Sequence, residues 1–598
     1  MPGDEEVRRL LAGCDETQRL AITTPATPLL VVAGAGSGKT RVLTRRIARR
    51  VLDGSAVAAH VLALTFTRRA AGELRARLRA LGLADPVAAG TFHALALREL
   101  RNIAADRGDR PPVVLDSKTR LLAGLVPPAR HDLLATIAAE IDWAKARRIA
   151  PEAYPAAATA AGRPSVAGRA RVAELFAAYE SEKRKRRVLD FDDLLTTLAT
   201  RIEQDRDVAS MQRWRFRHLF VDELQDVSPS QLRLLHAWLG GREDLCAVGD
   251  PHQAIYAWSG AEPGVLSSFA EHFPGASVVH LDANYRSSPQ VVAVATAALH
   301  GPDAARRALV PTTRSDGSVP TITCFTSDAD ERAGVVAALR RTSRPGRRWS
   351  CSAVLARTNA QLAELRRSFD DAGIPSRTGA AGGLLARPEV RSVLARAHDR
   401  SNVAAFYALV DDLDLDLRAA GSGQAGTGSE ADPEAREALE SLAALAHEYR
   451  DEDPHPTLDG FASWARATLR SDPALGDGDA VTLSTFHRAK GLEWPVVFVT
   501  GLEAGLVPLA SARSPDALEE ERRLLYVALS RAGEELHCSW ALHRDLGGRT
   551  TTREPSPFLG PIATARDTLE RLARPDPDAA RRAIAASRAL LGPSRNGS

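Results

Sequence analysis

Cysteine is scarce and unpaired in this chain: Cys14, Cys246, Cys324, Cys351 and Cys538 are odd in number, scattered, and never in Cys-x-x-Cys spacing. That excludes a disulfide framework, a zinc ribbon and a cysteine-held iron–sulfur cluster, and it fits a reducing cytoplasm. Long apolar runs are missing too. No stretch is long enough to span a bilayer, and MPGDEEVRRL at the N-terminus has no apolar run behind its charges. Neither a signal peptide nor a membrane anchor is expected. Aromatics make up only 5% of the residues, so one that falls in a motif carries more information than usual. Lysine is the rarest common cation. Only Lys39, Lys118, Lys145, Lys183, Lys185 and Lys490 stand among 78 basic residues. Where arginine is the default, a lysine points to a need for a compact ammonium. Net charge is only +3, so any polyanion must be met by a local stripe rather than a global field.

What is present is an ordinary globular composition, 44% hydrophobic and 26% charged over 598 residues. At roughly 150 residues per domain, three to four domains are expected. Residues 28–34 (PLLVVAG) read as a buried strand ending in glycine, followed by a helix from about Lys39 to Arg50. A strand at 61–66 leads into a helical 68–80. Residues 99–189 are helical and rich in Ala and Arg, with strands returning near 217–222 and 245–249. Strand and helix alternate again over 278–400 and from 480 to about 541. Residues 420–433, GSGQAGTGSEADPE, have a linker composition, and the final Arg-, Ala- and Pro-rich residues suggest a loosely docked tail. No tandem repeat is visible. The expected fold is α/β, with two parallel-sheet domains that each carry a mainly helical insertion.

AGAGSGKT, Ala33 to Thr40, lies between that first strand and its helix, where a P-loop belongs. Glycines at Gly34, Gly36 and Gly38, with Ala35 and Ser37, let backbone N–H groups close around phosphate oxygens. Lys39 is expected to reach the terminal phosphates and Thr40 to ligate Mg²⁺. HLFVDELQD (218–226) puts Asp222 and Glu223 at the end of an apolar strand, which suits a magnesium ligand and a water-polarising base. Together the two motifs imply hydrolysis of a nucleoside triphosphate.

Further motifs follow in a fixed order: Gln18, LALTFTRRAA (62–71), GTFHALA (90–96), LDFDDLL (189–195), VDELQD, VGDPHQAIYAWSGA (248–261), LDANYRSSP (281–289), LARTNAQ (355–361), TFHRAKGLEW (485–494) and EERRLLYVALSRA (520–532). On these the chain resembles the UvrD/Rep/PcrA group of superfamily 1 DNA helicases over residues 10–400 and 480–545. The resemblance implies two RecA-like motor domains: 1A at 1–98 and 190–280, and 2A at 281–395 and 480–560. It also implies a helical insertion 1B at 99–189, a reduced 2B-like insertion at 396–479, and a tail at 561–598. ATP and Mg²⁺ are the implied cofactors, with the nucleotide between the motor domains. Gln18 is similar to the family's adenine reader, Tyr285 to its stacking ring and Glu493 to its ribose contact. Gln253 and Arg286 correspond to γ-phosphate sensors and Arg531 to the arginine finger; Arg41 is a further phosphate candidate.

The implied partners are single-stranded DNA and its junctions with duplex, with no membrane and no named protein partner. Phe66, Phe92, Phe191, Tyr256 and Trp258 resemble the DNA-contact positions, because a base gains about 1–3 kcal/mol on an aromatic ring with little sequence preference. Phe66, Phe92 and Phe191 read equally well as core. Arg68, Arg69 and Arg357 are phosphate candidates, and their alternative is a solvated helix face. His93 and His487 fall in motifs that, by the resemblance, couple DNA to the ATP site; their alternative is a satisfied hydrogen-bonding histidine, and neither is read as a metal ligand or catalytic base. The chain departs from the family in the short 2B-like stretch, in Leu224 for the usual Phe, in Pro251-His252 for an acidic pair, in Val507 for an aromatic and in Ser530 for Thr. No nuclease signature follows residue 545. The implied activity is that of a bacterial 3′→5′ DNA helicase and strand translocase of repair or recombination. A protein-stripping translocase, a nucleotide-gated DNA-binding module and an RNA motor are the alternatives.

Overall fold

The computed structural model describes residues 4–83, 87–115, 117–163, 165–300, 313–342, 347–378, 479–546 and 549–573, with scattered positions between 390 and 465. The chain forms two compact units, residues 1–282 with 377–479, and residues 283–376 with 480–598.

Unit 1 is built on a six-stranded sheet of β1 (Leu29–Ala33), β2 (Val61–Thr65), β3 (Ala88–Thr91), β6 (His218–Val221), β7 (Leu245–Gly249) and β8 (Ser277–Leu281), in the order β3-β2-β6-β7-β1-β8. Every pairing in it is parallel. Both faces are covered, which is why the strands read as continuous apolar runs rather than alternating ones. Leu30, Leu62, Leu64, Leu219 and Val221 pack on one side with the helices Phe92–Arg107 and Phe191–Gln204. Leu29, Val31, Ala63, Phe220 and Val248 pack on the other with the helix Lys39–Leu52.

The register aligns Val221 with both Leu64 and Ala247, and Val32 with Gly249. All the strands therefore end on one edge. Read across it, that edge carries GTFH, LTFT, VDEL, VGDPHQ and the P-loop. In parallel α/β sheets, ligands bind at this carboxyl edge.

A helical insertion follows, joined to the sheet domain by a short parallel pair, β4 (Val113–Val114) with β5 (Val188–Leu189). It has a core of its own, including Ile137, Ile141, Trp143, Tyr154, Phe176 and Tyr179. A smaller core lies between residues 390 and 465, where the rings of Phe406, Tyr449 and Phe461 lie 5.4, 5.7 and 5.8 Å apart. Arg101 Nη1 donates to the Tyr449 hydroxyl at 3.0 Å, tying this small core to the helix Phe92–Arg107. The 420–433 linker, nearly all of the 384–395 segment and residues 574–598 lie outside the described residues.

Unit 2 holds a seven-stranded sheet of β9 (Thr321–Ser327), β10 (Ser352–Ala356), β11 (Ser376–Thr378), β12 (Val481–Thr485), β13 (Trp494–Val499), β14 (Ala532–Leu546) and β15 (Arg549–Thr552). The order is β11-β12-β10-β13-β14-β15, with β9 also on β14. The pairs of β10 with β12 and β13, and of β14 with β13 and β9, are parallel, while β15 closes the edge antiparallel. Arg544 anchors this sheet from within, donating to Glu331 at 2.6 Å and to Glu503 at 2.5 Å in a buried network. No helix among the described residues is long and apolar enough to cross a membrane.

Candidate nucleotide and nucleic-acid site

The P-loop leaves β1 and turns through Gly36 and Gly38, whose φ values of 72° and 83° an L side chain rarely adopts. A Cβ on Gly38 would also press on the Gln18 amide at 3.0 Å. Gly38 is the N-cap of the helix Lys39–Leu52, so N–H groups that lack an intrahelical partner and the positive end of the helix dipole meet at the loop. Gln18 is fully buried. Its Nε2 donates to the Ser37 carbonyl at 2.9 Å, and its Oε1 accepts from Asp15 N at 3.4 Å in a capping box. A carboxamide keeps a second N–H and a second lone pair beyond those two bonds.

Lys39 Nζ donates to the Ala33 carbonyl at 3.3 Å and lies 3.7 Å from Asp250 Oδ2. Thr40 Oγ1 donates to Asp222 Oδ2 at 3.1 Å. That hydroxyl and carboxylate are hard-oxygen donors of the kind that suit Mg²⁺. Burial, reinforced by Glu223 and opposed by Lys39, pushes the Asp222 carboxyl up to about 6. Glu223 stands in the left-handed region at φ 54°, a strained backbone for a non-glycine residue that costs on the order of 1–3 kcal/mol. Its carboxylate accepts from Gln225 Nε2.

Gln225 Oε1 in turn accepts from Asp250 N at 3.0 Å, and Gln253 Nε2 donates to Asp250 Oδ2 at 2.7 Å. A single polar chain thus runs from Lys39 through Asp250 and Gln225 to Glu223. Sequence reasoning passed over Asp250 and Gln225, although both sit in motifs it quoted. Arg41 is turned elsewhere in this structure, donating to the Ala12 carbonyl at 3.1 Å.

Unit 2 gathers a second set from three separate stretches of sequence. Arg286 Nε donates to Glu493 Oε2 at 2.6 Å, and its Nη1 approaches the Ser530 carbonyl at 3.5 Å. The Asn284 side chain accepts from both Arg286 N and Ser287 N at 2.9 Å, fixing that turn; it is a positioning residue the sequence did not single out. Arg531 follows the helix Pro515–Leu529 and is 1% exposed. Its guanidinium donates to the Val527 carbonyl at 2.9 Å, the Leu492 carbonyl at 3.1 Å and Ser530 Oγ at 3.1 Å. Ser530, with only a hydroxyl where the family has Thr, is thus one of its anchors. Tyr285 is half-buried beside this cluster in sequence.

The aromatics of unit 1 divide. Phe66 and Tyr256 stack at 4.9 Å and 25°, with Trp258 6.5 Å from Tyr256 and 53% exposed. His93 and Phe191 stack at 4.0 Å and 14°. Phe92 points into the core with Leu95 and Leu194, so of its two readings the structure displays the core one, while Phe191 is partly buried against the same cluster. Arg68 is buried at the start of its helix, while Arg69 is exposed. Arg357 is held by Glu521, Nη2 to Oε1 at 2.5 Å and Nε to Oε2 at 3.2 Å, rather than standing as a bare surface cation. Burial lowers both His93 and His487 to about 3, offset by Asp190 in the first case and reinforced by Arg357 in the second. Burial thus favours the neutral form of both rings.

Residues 14–274 match the model of the UvrD/REP helicase N-terminal domain, and residues 279–410 and 396–543 that of the UvrD-like helicase C-terminal domain. The ATP-dependent DNA helicase UvrD2 of Mycobacterium tuberculosis is 40% identical over 587 residues, covering 93% of this chain and 82% of that protein. The chain belongs to the UvrD-like helicase family. The ATP-dependent DNA helicases PcrA of Leuconostoc citreum and Bacillus subtilis are 31% and 29% identical. These matches cover 93% and 94% of this chain and 86% and 87% of the relatives. Two departures from the UvrD-like pattern have plain structural settings. Leu224 is fully buried in the apolar cluster beside Val221 and Val227. Val507 is likewise buried, at 1% exposure, so it offers no ring or face to a base.

Proposed function

We propose that this chain is an ATP-dependent DNA helicase that hydrolyses ATP to move 3′→5′ along single-stranded DNA in repair or recombination. One observation carries the reading. The carboxyl edge of the six-stranded sheet bears nucleotide-type groups on one half (Lys39, Thr40, Asp222, Asp250) and stacked aromatic rings on the other (Phe66 with Tyr256, His93 with Phe191). Shifts at the phosphate end can therefore reach the strand through a few packed residues of one sheet.

In this reading the P-loop N–H groups and Lys39 bind the phosphates, and Thr40 and Asp222 hold Mg²⁺, which supplies charge neutralisation when bound. Glu223 orients and deprotonates the attacking water, and Gln225 and Asp250 orient Glu223 and Gln253. Gln18, Tyr285 and Glu493 take the adenine and ribose, Gln253 and Arg286 sense the terminal phosphate, and Arg531 stabilises transition-state charge. Trp258 is the ring best exposed to receive a base, backed by Tyr256, Phe66, Phe191 and His93. Arg69 and Arg357 are proposed to meet phosphate, with Arg357 oriented by Glu521. The partners are single-stranded DNA and its junctions with duplex.

The short 396–479 stretch favours a second reading, a translocase that remodels protein–DNA complexes and unwinds weakly alone. Strand displacement measured beside displacement of a bound protein separates the two. The experiment that tests the first reading is ATP hydrolysis with and without a single-stranded oligonucleotide, with Lys39→Ala as the control. Strong stimulation, lost in the variant, supports it; hydrolysis indifferent to DNA overturns it.

A further inference from the structure

Three of the six lysines converge on one point. Lys118, Lys145 and Lys183 come from three helices of the insertion, Lys118–Ala123, Leu134–Ala146 and Arg169–Arg186. All three reach the N-terminus of a fourth helix, Phe191–Gln204. Asp190 Oδ2 lies 2.8 Å from Lys145 Nζ, 2.8 Å from Lys183 Nζ and 3.8 Å from Lys118 Nζ, and it accepts the Tyr179 hydroxyl at 2.8 Å. Asp193 receives Lys145 at 2.5 Å and Lys183 at 2.6 Å, and Glu180 receives them at 3.1 and 2.8 Å. Lys118 also pairs with Asp142 and lies 3.4 Å from Asp192. The lysines are almost wholly buried; the side chain of Lys183 is 3% exposed. Although burial raises the Asp190 carboxyl, the ammoniums hold it well below the usual carboxylate range.

Lysine is chemically suited here where arginine is not. Several compact ammoniums can share a single carboxylate oxygen, whereas planar guanidiniums present wide, fixed forks. In a chain that uses arginine almost everywhere else, the choice marks this point as shape-sensitive.

The same two carboxylates form the capping box of the helix they begin. Asp190 Oδ1 accepts from Asp193 N at 3.0 Å, and Asp193 Oδ2 accepts from Asp190 N at 2.9 Å. Phe191 is the residue clamped after Asp190, and its ring lies on His93 at 4.0 Å. His93 is the second residue of the helix that leaves β3. The lysines therefore end on the very groups that fix the direction of the Phe191 side chain.

We infer that Lys118, Lys145 and Lys183 are positioning residues for strand binding, which lock the insertion onto the Asp190–Asp193 cap so that the Phe191–His93 stack keeps one orientation toward DNA. The inference rests on the proposed assignment of Phe191 and His93 to the strand. It goes beyond that assignment in giving buried lysines outside the contact surface control of DNA affinity.

The test is steady-state ATP hydrolysis by the full chain, titrated with oligo-dT, alongside thermal melting. The variants are Lys183→Met, Lys145→Arg, Phe191→Ala and the double Lys183→Met/Phe191→Ala, with exposed Lys185→Met as control. Lys183→Met and Phe191→Ala should each raise the half-activating DNA concentration about tenfold, the low end of one lost base stack, with a much smaller change in kcat. The double variant should be no worse than Phe191→Ala alone, and Lys185→Met should match the parent. Lys145→Arg keeps the charge but alters the shape, so it should raise the DNA constant with a much smaller change in kcat, whatever its melting temperature. Multiplying effects in the double variant overturn the proposal, as does a parallel fall of kcat, DNA affinity and melting temperature in both lysine variants. An unchanged DNA constant in Phe191→Ala instead overturns the strand assignment of Phe191, and the proposal with it.

Discussion

Lys39 Nζ lies 3.7 Å from Asp250 Oδ2, both groups nearly buried, at the ends of the adjacent parallel strands β1 and β7. The ammonium also donates to the Ala33 carbonyl. On the proposed role of Lys39, a phosphate would have to draw the ammonium away from this carboxylate. Asp250 also takes the Gln253 amide, so the proposed capture of Lys39 by phosphate would change the partners of a residue linked through Gln225 to Glu223.

Replacing Lys39 by Ala should abolish ATP hydrolysis while leaving affinity for single-stranded DNA within about twofold, since the aromatic half of the edge is untouched (a change below about 0.5 kcal/mol). Fluorescence anisotropy of a labelled oligonucleotide, measured beside hydrolysis, checks this. Lost strand binding would mean that the loop is structural.

Arg531→Ala should lower turnover by at least a hundredfold, about 3 kcal/mol, with little change in the KM for ATP. Its three bonds to Val527, Leu492 and Ser530 stiffen the end of the helix Pro515–Leu529, so melting must be followed in parallel. A tenfold loss or less in a folded variant would refute the finger assignment.

Trp258 and Phe92 should respond in opposite ways. Trp258→Ala, at a 53% exposed ring, should weaken oligonucleotide binding by about 1–3 kcal/mol with no loss of stability. Phe92→Ala, at a buried ring, should cost about 3–5 kcal/mol of folding free energy. Chemical denaturation and binding isotherms of both variants distinguish the two roles.

Acid should destabilise the protein through His93 and His487. Both are held down to about 3, below the ordinary 6.5, so between those values the unfolded chain binds more protons than the folded one. Stability is then fully present above pH 6.5 and falls as pH drops through 6.5 toward 3. Each ring contributes a loss of up to about 2 kcal/mol between pH 6.5 and 5. Urea midpoints at pH 7.5 and 5 should show this fall, and His93→Asn should reduce it. A slope unchanged in that variant would remove His93 from the account.

Much of the fold and of the candidate nucleotide site was legible because its signals are local. An apolar run, three glycines and Lys-Thr specify strand, loop and helix N-terminus without help from distant residues, and β1 and the helix Lys39–Leu52 stand where those residues point. HLFVDELQD likewise becomes β6 with Asp222 and Glu223 at its end. The helical character of the insertion is equally plain in its composition.

Burial and pairing were not legible, because they depend on strand order and on which face a helix turns inward. GTFH and LTFT look alike in sequence, yet Phe92 enters the core as the first residue of a helix while Phe66 meets Tyr256 on the edge. Arg357 reads as a bare cation until Glu521, far along the chain, is folded onto it. Sequence alone determined the chemistry available to this protein: a phosphate loop, an acidic strand end, and a few lysines in an arginine-rich chain. Only the tertiary structure decided that three of those lysines meet on one capping carboxylate, since charges from three helices share a partner only when packing closes the distances between them.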